Sequence, residues 1–256
     1  RQGVFLSMSG HLWPNPAMST TTPAPYALIL VDLAREAGVD REALLAGTGL
    51  ADAAPGAIGA RIADEDFLTL VANALRLTGD PALGLHLGER LNLSAHAVLG
   101  QAFLTCRNLG EVIELFERYY HLLAPDLELD FHTGPESLRI EAAATAHGLP
   151  QPFAVECIAA AMRNTLDGLV GSSALPLRFE FPYAAPAHRA LYAETLGDEV
   201  HFDCPVAAWS FPAHCLAMPL PRSIPALREL YEAECARLLA DLTDTADLAV
   251  RSRRLL

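Results

Sequence analysis

Apolar residues recur with a helical period through the first half of the chain, up to residue 123. Where they return every three to four residues between a capping residue and a glycine, an α-helix is predicted. The predicted helices are 25–38, 41–47, 64–79, 82–91, 97–106 and 108–123. Residues 1–24, rich in Pro, Ser and Thr, are predicted to form an irregular arm.

After residue 126 the period falls from 3.6 to 2. Apolar and polar residues alternate over 127–131 and 138–142 around a Thr-Gly-Pro turn, which predicts an antiparallel hairpin with one buried face. Further strands are predicted at 177–181, 200–203 and 208–211, and further helices at 152–170, 187–197, 223–240 and 243–256. The βαβ alternation of a parallel sheet is missing. The pattern therefore predicts an α+β fold, in which a helical N-terminal part packs on an antiparallel sheet with a long central helix.

The acidic balance of the chain narrows its possible partners. There are 18 basic and 31 acidic residues, a net charge of −13. Because clustered basic side chains neutralise nucleic-acid phosphates, the chain as it stands is not expected to bind DNA. No apolar run reaches the roughly 20 residues of a membrane span, and the N-terminus lacks the apolar centre of a secretory signal. We therefore expect a cytoplasmic location without membrane contact.

No recognisable motif of catalysis or metal binding is present in the sequence. It lacks the nucleophile-elbow, dinucleotide, Walker and zinc-protease patterns. The five cysteines form no CxxC, and the pairs His201-x-x-Cys204 and His214-Cys215 are more typical of a buried cysteine beside a surface histidine than of a metal site. The sequence predicts no catalytic residue, no metal and no cofactor, so the chain is not expected to be an enzyme. A small-molecule enzyme without a recognisable motif is an alternative.

The predicted helix 152–170 carries the first candidate ligand contacts. Opposite its apolar face lie Glu156, Ala160 and Arg163, and Cys157, Ala161 and Thr165 fill the border between the two faces. A helix that is apolar nearly all round is usually sandwiched between other elements, and a buried charge needs a partner. Glu156 and Arg163, with Ala160 between them, are therefore predicted to face a polar ligand in a cavity. A solvated edge carrying two charges is the alternative.

Tyr119 and Tyr120 are the second pair of candidate ligand contacts. They end the helix 108–123, at the seam between the helical part and the hairpin. Aromatic residues at a helix end usually belong to the core, but a buried tyrosine hydroxyl needs a polar partner, and ligand pockets commonly form at such seams. The sequence therefore predicts that both tyrosines join the ligand site.

Six short motifs carry a resemblance to a known family. They are LGLHLGERL at 83–91, LGQA at 99–102, NLGE at 108–111, RYYHLL at 118–123, VHF at 200–202 and MPLP at 218–221. In this order and spacing they resemble the sensor domain of AraC/XylS-type transcriptional regulators, in the subgroup with an arabinose-binding-type N-terminal domain. The resemblance runs from about residue 25 to residue 256.

The resemblance implies an arrangement of domains and a function. Residues 1–24 would be an arm or leader, 25–242 an effector-binding and dimerisation domain, and 243–256 the start of a linker helix towards a missing helix-turn-helix part. It implies a small-molecule effector, not necessarily arabinose, a homodimer, and DNA contact only through that missing part. A module that only dimerises is the alternative within the same family.

Overall fold

The fold is described by a computed structural model for residues 21–50, 59–125, 127–142, 149–171 and 175–253, with side chains as far as residue 244. All six helices predicted in the first half are confirmed. They are α1 (Ala24–Glu36), α2 (Arg41–Leu45), α3 (Asp64–Thr78), α4 (Leu83–Arg90), α5 (Ala97–Phe103) and α6 (Leu109–Tyr119), the last followed by a 3-10 turn at Tyr120–Leu122.

Polar side chains set the start of two of these helices. The Asp40 carboxylate accepts a hydrogen bond from the backbone N–H of Ala43 at 3.0 Å, which caps α2. The Asn108 side chain accepts one from the N–H of Glu111 at 2.9 Å, which caps α6. In a capping box the residue three positions later accepts a hydrogen bond from the N–H of the capping residue; here the Glu111 carboxylate accepts instead from the N–H of the preceding residue, Arg107.

The predicted arm ends in a strand that the sequence pattern did not indicate. β1 (Thr21–Pro23) pairs antiparallel with β2 (Arg61–Ala63). Three residues are too few to show a period of 2, so the pattern gave no sign of either strand. Residues 1–20 of the predicted arm lie outside the described residues.

Five strands form the main sheet, in the order β3-β4-β7-β5-β6. They are β3 (Leu129–Thr133), β4 (Ser137–Ala142), β5 (Arg178–Glu180), β6 (Val200–His201) and β7 (Ala207–Pro212). The α+β class is confirmed. One detail differs from the antiparallel sheet that was predicted, because β5 and β6 pair in parallel across α8 (Arg189–Leu196). Strands of three and two residues are too short for the pattern to reveal their direction.

The long central helix is α7 (Gln151–Val170), and α4 packs closely against it. Glycines at the contact allow this approach. A Cβ atom at Gly84 would lie 2.5 Å from the carbonyl oxygen of Phe153, and one at Gly88 would lie 2.5 Å from that of Cys157. Since real contacts to a Cβ atom are longer than 3 Å, α4 fits here only with glycine at both positions.

The last helix is continuous where two helices were predicted. α9 (Arg228–Arg253) runs through residues 241 and 242 without a break. It packs on α5 and α6 through the fully buried Cys235 and the partly buried Leu238 and Leu242. At its first turn the Arg228 guanidinium donates to the Glu111 carboxylate at 2.9 Å, which ties the start of α9 to α6. The predicted domain boundary after residue 242 therefore falls inside a helix.

Buried apolar side chains form two clusters that meet at α4 and α7. One cluster joins α1–α4, and the other joins α5, α6, α7, α8 and the main sheet. Phe153 of α7 belongs to the first cluster and Leu166 of the same helix to the second. Among the described residues, no helix combines the length and apolarity needed to cross a membrane.

Candidate functional site

A cavity of about 130 Å³ lies where the two apolar clusters meet. We call it cavity A. α1 contributes Tyr26, β4 contributes Ile140, and α6 and α7 together contribute half of the described lining residues. On α7 the lining positions are 157, 158, 161, 162, 165 and 166. Among the lining residues that the structure describes there is no Asp, Glu or Arg, so this described wall carries no permanently charged side chain.

Three polar side chains form a hydrogen-bonded chain in the wall of cavity A. The Tyr26 hydroxyl lies 2.8 Å from Nδ1 of His96, and Nε2 of His96 lies 2.9 Å from the Thr165 hydroxyl. Burial lowers the pKa of His96 to about 4 and raises the pKa of Tyr26 above its usual range. Burial also raises the pKa of the Cys157 thiol in the same wall to about 12. Cavity A is therefore uncharged at neutral pH.

Aromatic rings form another part of the wall. Phe103, Phe116 and Tyr120 line cavity A, and the Phe116 ring is edge-on to Phe103 at 6.5 Å and to Phe131 of the sheet at 6.0 Å. The Tyr120 hydroxyl accepts a hydrogen bond from the backbone N–H of Leu129 at 3.4 Å. Its ring is thereby held between α6 and the sheet.

Two further cavities adjoin cavity A. Cavity B, of about 140 Å³, shares six wall residues with it, including Tyr26 and Cys157, and is bordered by Asp64. Thr22 donates to the Asp64 carboxylate at 2.5 Å. Cavity C, of about 160 Å³, is bordered by Arg61 and by α9, and of the described residues it shares His96 and Leu123 with cavity A. His96 therefore borders both cavity A and the space beneath α9.

The structure separates the five predicted ligand residues. Tyr120 lines cavity A, whereas Tyr119 is buried in the core, and the Arg118 guanidinium lies over its ring at 5.7 Å. Glu156, Ala160 and Arg163 are all buried on the opposite side of α7 and line none of the three cavities. Ala160 lies directly beneath Gly88, whose Cβ position is 2.6 Å from the Ala160 methyl group, so a small side chain is required there.

Glu156 belongs to a buried polar cluster between α7 and α8. Tyr192 donates to Oε1 of Glu156, His188 Nε2 lies 3.1 Å from the same oxygen, and the Tyr183 hydroxyl lies 3.2 Å from that of Tyr192. Oε2 has no hydrogen-bond partner among the described residues and faces Gly84. Burial raises the pKa of Glu156 above its ordinary value, more strongly than its hydrogen bonds to Tyr192 and His188 lower it.

Arg163 joins α7 to the segment that precedes β5. Its Nε donates to the Asp167 carboxylate at 2.8 Å, and its Nη1 donates to the carbonyl oxygen of Leu175 at 3.2 Å. Burial raises the pKa of Asp167, and the bond to Arg163 opposes that rise. The bond to Asp167 lies within α7, and the bond to Leu175 links α7 to the segment before β5.

Tyr26, His96 and Thr165 line cavity A but were not predicted as ligand residues from the sequence. The signal that was available is the border stripe of α7, where Cys157, Ala161 and Thr165 follow one another at four-residue spacing and all line cavity A. The pairing with His96 joins residues 69 positions apart, which no local pattern reveals. No three His, Cys, Asp or Glu side chains converge as metal ligands in the part of the chain that the structure describes.

Comparisons with known proteins agree on a class of regulator. The chain is 37% identical over 236 residues to the Ornithine utilization regulator of Pseudomonas aeruginosa, covering 91% of this chain and 69% of that protein. It is 27% identical over 241 residues to an uncharacterized HTH-type transcriptional regulator of Mycobacterium tuberculosis, covering 90% of this chain and 68% of that protein.

A solved structure has the same fold. The crystal structure of the transcriptional regulator CdpR from Pseudomonas aeruginosa matches with a TM-score of 0.59 at 17% identity, over 80% of this chain. The chain spans 61% of the length of that protein. Residues 38–220 match the family described as the arabinose-binding domain of AraC transcription regulator, N-term. The chain therefore belongs to this family of N-terminal domains, and its named relatives are transcription regulators and not enzymes.

Proposed function

We propose that the chain is the effector-sensing domain of a transcription regulator, and that the effector binds in cavity A. The observation that carries the proposal is the cavity itself, an apolar space at the junction of two core clusters with one polar chain in its wall. Small-molecule sites commonly combine an apolar wall with a few placed polar groups. Of the residues predicted from the sequence, Tyr120 is the one we place in this site. For Tyr119, Glu156, Ala160 and Arg163 the observed contacts favour a role in packing.

Occupancy of cavity A would be communicated to α9 through His96. This side chain borders cavity A, holds Thr165 of α7, and borders the space beneath Leu238 and Leu242 of α9. A ligand that binds one arrangement of these elements more tightly shifts the population towards that arrangement. We propose that α9 continues towards a DNA-binding helix-turn-helix part outside this chain, and that the whole regulator acts in the cytoplasm.

The site is tested by a thermal-shift screen of small molecules against this chain. A compound present at 100 times its Kd stabilises by about 2.7 kcal/mol. For a domain of this size that stabilisation raises Tm by roughly 5–11 °C. In Ala161→Leu, whose larger side chain fills part of cavity A, the same compounds should raise Tm much less. Ala190→Leu adds the same side chain at an exposed position of α8 and should respond like the wild type. Equal stabilisation of all three proteins, or no stabilising compound, contradicts the proposal.

Dimerisation remains a proposal from the family resemblance. The described residues include an exposed apolar stretch just before and within the first turn of α9, where Ile224, Leu227 and Leu230 are 50%, 38% and 64% exposed. We place the contact with a second copy of the chain here. Sedimentation should show a dimer for the wild type and a weaker one for Leu230→Ser. A wild-type monomer at high concentration excludes this contact, and also the alternative of a module that only dimerises.

A further inference from the structure

We infer that the effector of cavity A is an uncharged, mainly apolar molecule that contains a ring and carries a single hydroxyl or carbonyl group. This inference rests on the proposed function and adds to it the chemical class of the ligand. The inferred ligand differs from ornithine, which appears in the name of the 37% identical relative, and from arabinose, which appears in the description of the family.

The absence of charge in the wall excludes a charged ligand from cavity A. The described lining residues include no Asp, Glu or Arg, and buried His96 is neutral at neutral pH. An ammonium or carboxylate group placed there would lose its hydration without gaining a counter-charge, which is strongly unfavourable. Ornithine carries two amino groups and a carboxylate, so it does not match this wall.

The hydrogen-bonded chain of Tyr26, His96 and Thr165 limits how many polar groups of a ligand can find a hydrogen-bond partner. If Tyr26 donates to Nδ1 of neutral His96, Nε2 donates to Thr165, and the Thr165 hydroxyl hydrogen is left over. In the other tautomer the Tyr26 hydroxyl hydrogen is left over instead. In either tautomer these three side chains together present one hydrogen-bond donor at one end and an acceptor at the other. A single hydroxyl or carbonyl is satisfied by this arrangement, whereas the several hydroxyls of arabinose are not.

The size and the aromatic wall favour a ring. An engineered apolar cavity of about 150 Å³ in another protein binds benzene, and cavity A measures about 130 Å³. The rings of Phe103, Phe116 and Tyr120 line it, and aromatic rings favour offset or edge-to-face contacts with one another. Cavity B shares its wall, so a second ring or a short alkyl substituent can be accommodated towards α3.

The class is tested with four single-ring probes of similar size. We would measure the affinities of phenol, toluene, benzoate and benzylammonium for the 256-residue chain by ligand-observed NMR or calorimetry at neutral pH, together with L-ornithine and L-arabinose. Phenol should bind about three to ten times more tightly than toluene, because it gains one net hydrogen bond. Benzoate and benzylammonium should bind about 100 times more weakly than phenol or not measurably. Neither ornithine nor arabinose should bind.

Two variants assign the binding to cavity A. In the double variant Tyr26→Phe/Thr165→Val both hydroxyls are removed, so phenol should bind no better than toluene. In Ala161→Leu both probes should bind at least ten times more weakly. Circular dichroism establishes whether each variant is folded. If the double variant is unfolded, the order of the wild-type affinities still decides the test.

The outcomes separate this inference from the proposed function. Tight binding of benzoate, benzylammonium, ornithine or arabinose that Ala161→Leu abolishes would overturn the ligand class while the site stands. Equal affinity of the wild type for phenol and toluene would overturn the role of the polar chain. Affinities that Ala161→Leu leaves unchanged would overturn the assignment to cavity A, and with it the proposed function.

Discussion

Substituting Gly88 by alanine should test the close packing of α4 on α7, because the added methyl group acts directly at this contact. The added Cβ would lie 2.5 Å from the Cys157 carbonyl oxygen, 2.6 Å from the Ala160 methyl group and 2.9 Å from the Ala161 nitrogen. Carbon atoms pack at about 3.5–4.0 Å, so the helices would have to separate by roughly 1 Å along the contact. Two of the three obstructing atoms belong to the backbone of α7 and cannot rotate away.

The magnitude follows from two opposing effects. Overpacking of a close contact costs about 1–3 kcal/mol, and a rigid backbone obstacle favours the upper half of this range. Replacing glycine by alanine inside a helix contributes about 1 kcal/mol in the opposite direction. The expected net loss of unfolding free energy is therefore about 1–2 kcal/mol, or roughly 2–8 °C in Tm for a domain of this size.

A matched control lies in the partner helix. Gly168 is exposed in α7, and a Cβ there would have Leu93 Cδ1 at 4.0 Å as its nearest neighbour. Gly168→Ala should therefore gain about 0.5–1 kcal/mol from helix propensity alone. The assay is urea-induced or thermal unfolding followed by circular dichroism. A Gly88→Ala protein as stable as Gly168→Ala would refute the close approach of α4 and α7.

Three further substitutions test the buried ionisable side chains. Burial lowers the pKa of His96 to about 4, so the neutral form is favoured in the fold, and stability is lost as the pH falls from 6.5 to about 4. His96→Gln should remove about 3 kcal/mol of this acid-induced loss in urea titrations, and an unchanged pH slope would contradict the burial of His96. For Glu156 the raised pKa has the opposite consequence, because its ionisation opposes folding as the pH rises from 4.5 through the raised value. The stability of Glu156→Gln relative to the wild type should therefore increase over this interval, and a constant difference would show that the carboxyl is not desolvated. Arg163→Ala should lower stability by about 1–3 kcal/mol and leave probe affinity for cavity A within twofold. A larger loss of affinity than of stability would instead place Arg163 in the ligand site, as the sequence predicts.

Long periodic segments explain why so much of the fold could be predicted. The helices α3, α6 and α7 span 11 to 20 residues, long enough for apolar residues to define one face several times over. Strands β1, β5 and β6 have only two or three residues, so their pairing is set by contacts distant in sequence. The parallel pairing of β5 with β6 could not be predicted for this reason.

The candidate site was harder to predict because its residues are brought together by the packing of elements that are distant in sequence. The charges Glu156 and Arg163 were prominent on α7, yet both have partners within the fold. Glu156 accepts from Tyr192 of α8, and Arg163 donates to Asp167 of α7 and to the carbonyl oxygen of Leu175. The wall of cavity A consists mostly of ordinary apolar residues, and the cavity arises only from how the two clusters meet. Tyr120 was accessible to prediction, since the end of α6 and the start of the hairpin locate the seam.

Because α9 is continuous, a tilt at its packed part displaces its far end. A helix of 26 residues is about 39 Å long, and the described side chains that pack it on the rest of the domain extend as far as Leu242. From Leu242, at the edge of cavity C, the backbone continues as helix for 11 residues, about 16 Å, to Arg253. A tilt of about 5° at Leu242 displaces the far end by roughly 1.4 Å over that length. Small changes in packing beneath α9 are thus converted into larger movements at its far end.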